Sequence, residues 1–218
     1  MHSNSPTLRN LAAASLPSGC ACELLPVHNI KEDLQFGHDY MATPKFVNMS
    51  TEAYIHHTSG TTSGLPKPIP QVHAAATYHL PFLPTAKPVS TLTMTPLYHG
   101  GVADLMRSLM SRSMIWLYPH TVPVTTQNII RTINTANTKI PIAPVRLFTA
   151  VPYILKMCLE NSECLRALRD MEMVAFGGAQ MPDLIGNSLV GNGVNLVSRY
   201  GSTECGCESP TQHCRCRC

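Results

Sequence analysis

Between residues 89 and 198 the chain alternates short β-rich runs with stretches of helical periodicity, and that alternation leaves few folds open. Residues 89–95, 114–118, 145–151, 173–176 and 194–198 are apolar or β-branched runs of strand length. The run at 114–118 reads as a buried strand. Between these runs, Val102, Leu105, Met106, Leu109 and Met110 recur at helical spacing and read as a core-facing stripe. Thr125 or Thr126 can cap a helix whose apolar face is Ile129, Ile130 and Ile133. Residues 153–160 and 162–170 read as two further helices, and Pro182 suits the first turn of a third that runs to about residue 190. Strands and helices in this order predict an α/β fold with a mainly parallel sheet flanked by helices.

The flanks read differently. Residues 1–50 are polar and irregular, a lead-in with one short helix expected near 8–15. Residues 52–57 can form a strand that enters a Gly/Ser/Thr-rich loop, 58–67, and prolines 66, 68 and 70 keep the loop from passing at once into a helix. A short helix over 73–80 would end at Pro81. After Glu204 the residues 205–218 hold no Leu, Ile, Val, Phe or Met, so nothing there could continue a sheet.

Charge narrows the function. Asp, Glu, Lys and Arg make up only 13% of the chain, about half the usual share, so either many charged groups are buried or the surface is sparsely charged. A net charge of +3 with scattered Lys and Arg argues against nucleic-acid and membrane-surface partners. No apolar run approaches the ~18 residues of a membrane helix, and the patch at 11–16 is too short for a signal peptide. A cytoplasmic protein is expected. The nine cysteines are scattered and odd in number, which suits reduced thiols. Cys205, Cys207, Cys214, Cys216 and Cys218, with His213 the nearby imidazole, fit zinc-ligand spacing poorly.

Three segments carry chemistry. In Thr58-Ser59-Gly60-Thr61-Thr62-Ser63-Gly64-Leu65-Pro66-Lys67 the glycines permit tight turns, hydroxyls and N–H groups can surround phosphate oxygens, and Lys67 adds positive charge. It is not a Walker A loop, because Lys67 lies between prolines. Composition alone leaves a flexible linker equally open. Phe176-Gly177-Gly178-Ala179 is a strand end opening into a glycine turn, where open α/β sheets hold ligands. Tyr200-Gly201-Ser202-Thr203-Glu204 puts an aromatic ring, hydroxyls and a carboxylate on one loop, suited to base stacking, phosphate bonding and Mg²⁺. As an isolated pentapeptide it could equally be a polar surface loop.

In this order, each at a strand end, the three segments resemble the core motifs of the adenylate-forming (AMP-binding) superfamily. Thr95-Pro96-Leu97-Tyr98-His99-Gly100-Gly101, between them, is similar to its substrate-side motif. The wording of residues 57–60, 66–69 and 197–201 is most similar to the adenylation domains of fungal nonribosomal peptide synthetase-like enzymes. The resemblance implies that Thr58, Ser59, Gly60, Thr61, Thr62, Ser63 and Gly64 wrap the β- and γ-phosphates of ATP, with Lys67 nearby. It implies that Gly177, Gly178 and Ala179 line the adenine side and that Tyr200 stacks on the base. Thr203 would contact the α-phosphate, Glu204 would ligate Mg²⁺, and His99 would sit near a small carboxylic acid substrate. The reaction would give acyl-AMP and pyrophosphate, for thioester transfer to a phosphopantetheine carrier domain in a full-length relative.

The domain plan that follows is a lead-in at 1–50, a partial adenylation domain at 51–206, and a non-homologous, disordered Cys-rich tail at 207–218. Ser63 makes the phosphate loop one residue longer than the family's common Gly-Thr-Thr-Gly-x-Pro-Lys. The family's later ribose-binding aspartate, hinge arginine and C-terminal-domain lysine have no counterpart here. A truncated domain, inactive alone, is therefore expected; a non-catalytic nucleotide-binding remnant and a Cys-rich metal protein are the alternatives.

Overall fold

The computed structural model describes residues 47–58, 67–78 and 87–203. The chain divides into two compact units, Met1–His73 and Ala74–Cys218.

In the first unit, β1 (Glu52–His57) and β2 (Pro68–Val72) pair as an antiparallel ribbon, with His57 opposite Pro68 and Ile55 opposite Pro70. The Thr58 N–H donates to the Lys67 carbonyl at 3.0 Å, so the two ends of the 58–67 loop meet across the ribbon. Strand β2 was not anticipated from its prolines. Proline forbids a helix interior, but it is tolerated in a strand with one neighbour, where its missing N–H breaks no ladder. Helix α1 (His73–Tyr78) follows, and the last two residues of the expected span, 79 and 80, lie outside the described residues.

The second unit is built on a five-stranded, wholly parallel sheet. Its strands are β3 (Ser90–Thr93), β4 (Met114–Leu117), β5 (Val145–Ala150), β6 (Met173–Phe176) and β7 (Leu196–Ser198), in the order β4-β3-β5-β6-β7. Helices α2 (Gly101–Met110), α3 (Thr126–Lys139), α4 (Pro152–Leu159), α5 (Ser162–Arg169) and α6 (Asp183–Gly191) make the connections. This is the α/β fold that the alternation predicts. Helix α3 begins where the Thr125 hydroxyl accepts the Asn128 N–H at 3.2 Å, and it buries Ile129, Ile130, Ile133 and Ala136. These side chains join Leu92, Phe148 and Val174 of the sheet and Leu155, Leu168 and Leu189 of α4, α5 and α6 in one core. Among the described residues no helix is long and apolar enough to cross a membrane.

Two expectations are overturned. Strand β4 is the outermost strand of the sheet and is half-buried, with Met114 and Leu117 exposed, rather than enclosed. Helix α2 is turned over. Its buried residues are Gly101, Asp104, Arg107 and Ser108, whereas Leu109 is 62% and Met110 44% exposed. Of the apolar stripe at 102–110, Val102, Leu105 and Met106 are only half-buried, and the fully buried face is the polar one.

Candidate functional site

All five strands of the sheet are parallel, so the turns after β3, β6 and β7 leave from one edge, and the predicted site residues of the second unit that fall among the described residues lie there. The glycine turn after β6 and the loop after β7 abut. The Arg199 N–H donates to the Phe176 carbonyl at 2.8 Å, carrying the β6–β7 pairing one step past the strands. Gly177 fits beneath this step because a Cβ there would lie 3.0 Å from the Arg199 carbonyl oxygen. Gly178 has φ +82°, a left-handed conformation that favours glycine. Gly178, Ala179 and Tyr200 are exposed, Tyr200 at 66%. Ser202 and Thr203 are half-buried.

The turn after β3 is equally tight. The Pro96 carbonyl accepts the N–H groups of both His99 and Gly101 at 3.0 Å. A Cβ on Gly101 would come within 2.2 Å of the Thr95 carbonyl oxygen, so only glycine can start α2 at this distance from the strand end. The turn leaves His99 exposed.

In the ribbon, the Thr58 hydroxyl accepts the Lys67 N–H at 3.4 Å, and Lys67 is exposed. Ser59, Gly60, Thr61, Thr62, Ser63 and Gly64 lie outside the described residues, as do Glu204, the lead-in helix and the tail cysteines. Among the described residues no three His, Cys, Asp or Glu groups cluster as a metal site. A surface depression of about 710 Å³ runs along α3 from Gln127 to Lys139 beside Glu163. No strand-end loop lines it, and the close glycine approaches at the carboxyl edge are the better guide to a ligand.

At that edge sits a charge network that the sequence reading missed. The Asp104 side chain is fully enclosed. Its Oδ2 accepts the Thr93 hydroxyl at 2.8 Å and the Thr149 hydroxyl at 2.7 Å, one from the end of β3 and one from β5. Its Oδ1 accepts Arg107 Nη1 at 3.0 Å and Arg199 Nη1 at 2.5 Å. The Thr93 hydroxyl in turn accepts the Thr95 N–H at 3.1 Å, which ties the network to the His99 turn. Burial pushes the Asp104 carboxyl up. The charge and hydrogen bond of Arg199, the charge of Arg107 and the Thr149 hydroxyl outweigh that penalty and hold it below the ordinary carboxylate range. The available signal was Gly101, Asp104 and Arg107 or Ser108 at helical spacing, in a chain sparing with charge.

An open parallel sheet with glycine turns, an exposed tyrosine and hydroxyls at its carboxyl edge defines the class of α/β proteins that hold ligands beyond their strand ends. The chain belongs to the AMP-binding enzyme family, whose pattern matches residues 11–215. It is 34% identical over 157 residues to the non-canonical non-ribosomal peptide synthetase ascB of Acremonium egyptiacum, a match covering 69% of this chain and 14% of that protein. It is 31% identical over 157 residues to the adenylate-forming reductase stbB of Stachybotrys bisbyi, again covering 69% of this chain and 14% of the relative. The matched part is thus a small share of these relatives' length. Among solved structures, the N-terminal subdomain of Klebsiella oxytoca NpsA, in complex with 3-hydroxybenzoyl-AMSN, superposes with a TM-score of 0.70 at 17% identity. That match covers 94% of this chain and 53% of that one. The o-succinylbenzoate coenzyme A synthetase of Bacillus subtilis, in complex with AMP, superposes with a TM-score of 0.57 at 24% identity, covering 72% and 31%. These two likenesses concern the fold.

Proposed function

We propose that the carboxyl edge of the parallel sheet binds the adenine nucleotide of ATP, as the nucleotide side of an enzyme that converts a small carboxylic acid to acyl-AMP. The observation that carries this reading is the contact of two loops. Gly177 packs under the Arg199 carbonyl, which brings the glycine turn and the Tyr200 loop together at neighbouring strand ends. Gly177, Gly178 and Ala179 present backbone that a flat base can approach, and the exposed ring of Tyr200 supplies a stacking face. Thr203 is assigned to the α-phosphate and His99 to the acid. The Thr58–Lys67 loop is assigned to the β- and γ-phosphates. Mg²⁺ would come with the triphosphate, ligated by phosphate oxygens and Glu204, and would neutralise charge on the phosphates. Within residues 51–206 we place the adenylating part of a cytoplasmic protein whose acyl product passes to a phosphopantetheine carrier domain, as in a longer relative.

Binding of ATP and AMP to the 218-residue chain, measured by calorimetry, tests the reading directly. Saturable binding is expected, and Tyr200→Ala should weaken it by about tenfold or more, the scale of one aromatic–base stack. Absence of binding, or an affinity untouched by the substitution, would sink it. ATP–pyrophosphate exchange with a panel of aryl, keto and amino acids then separates binding from acid activation.

A further inference from the structure

The strand order reverses between β3 and β5: the chain passes from β3 out to β4, then returns to the other side of β3 to form β5. Open α/β sheets hold ligands in the crevice outside such a reversal. Here Asp104 stands at that point, bonded to Thr93 on one flanking strand and Thr149 on the other. Its fourth partner, Arg199, comes from the far end of the sheet and is the first residue of the loop that carries Tyr200.

Arg199 is held at both its ends. Its backbone N–H is fixed on Phe176, its carbonyl lies against Gly177, and its guanidinium, 11% exposed, reaches back to Asp104. One carboxylate therefore serves two guanidiniums, and neither Asp104 nor Arg199 faces open solvent. A buried ion pair adds little net stability when compared with well-packed apolar residues, and in some proteins its role is to fix a geometry instead. Tyr200 and Gly201, immediately after this anchor, are exposed, and Ser202 and Thr203 are half-buried. We infer that Asp104 is a positioning residue: acting through Arg199, it sets the placement of loop 200–203 over the glycine turn. The binding consequence rests on the nucleotide reading above; the placement of the loop does not.

Hydrogen exchange of the intact chain is the test. Asp104→Asn keeps the side-chain shape and removes the charge, and Arg199→Met cuts the same tether from the other side should the first variant fail to fold. Each is expected to speed exchange at the amides of residues 200–203 by about tenfold or more, while helix α5 stays within about twofold. Arg199→Lys, which keeps the charge, should restore most of the protection. AMP affinity should fall about tenfold in each single variant, and the double variant should be no weaker than the worse single, since both break one tether. Unchanged exchange at 200–203, or equal acceleration across α5, would overturn the proposal, as would additive losses in affinity. A wild-type chain that binds no AMP defeats the nucleotide reading alone, and the exchange result still decides the tether.

Discussion

Helices α2 and α3 are both amphipathic, both connect parallel strands of one sheet, and they bury opposite kinds of face. Helix α3 turns Ile129, Ile130, Ile133 and Ala136 into the core. Helix α2 turns in Gly101, Asp104, Arg107 and Ser108, and leaves Leu109 and Met110 exposed. Periodicity determines that a face exists; what waits on the other side determines which face goes in. Beneath α3 lies an apolar layer that includes Val145 and Phe148. Beside α2 lie two strand hydroxyls and a guanidinium that need an acceptor, and Asp104 satisfies all three. A buried carboxylate so surrounded replaces its lost hydration with charge-assisted bonds.

The largest expected effect breaks this contrast at its centre. Asp104→Ala would leave the guanidiniums of Arg107 and Arg199 enclosed without their carboxylate, and should cost about 3–5 kcal/mol of unfolding free energy in urea. A loss under about 1 kcal/mol, the level of an exposed ion pair, would mean that the polar face of α2 is not buried.

Acid provides the second test. Because the folded-state pKa of Asp104 is depressed, the unfolded chain binds the proton more readily. The stabilisation is fully present above the unfolded value of about 3.9 and disappears as pH falls through the folded value beneath it. Wild type and Asp104→Asn should therefore differ most in urea midpoint at neutral pH and converge toward pH 2. A gap that widens in acid would contradict the depressed carboxyl.

The smallest effect is the most discriminating for orientation. Leu109→Gln on the outer face of α2 should change stability by no more than about 0.5 kcal/mol. If the 102–110 stripe were core, the loss would be of the order of 2–5 kcal/mol, measured in the same urea titration.

Much of the second unit was legible because local rules and tertiary demand agree there. Residues 173–176 form the strand expected, and Thr125 caps α3 as its hydroxyl and the following isoleucines suggest. The glycine turn after β6 was legible as a turn, since Gly-Gly after an apolar run points to positive φ. What escaped depends on partners distant in sequence. Asp104 meets Thr149 and Arg199 at separations of 45 and 95 residues, and no window of periodicity spans that. Strand β4 is as apolar as an enclosed strand, and its outermost place follows from the order of the whole sheet. Of the candidate site residues, the described ones on the β3, β6 and β7 turns share one sheet edge, whereas the Thr58–Lys67 loop belongs to the other compact unit.

The prolines of β2 set a direction of growth for the small ribbon. Thr58 and Lys67 form a hydrogen-bonded pair, so alternation along an antiparallel ladder turns the nitrogens of Pro68 and Pro70 away from β1. Those are the positions from which β2 would donate to a third strand, and proline has no hydrogen to give. A strand recruited along β2, from elsewhere in the chain or from another molecule, would go without both of those donors, so the prolines make that side the poorer one for extension.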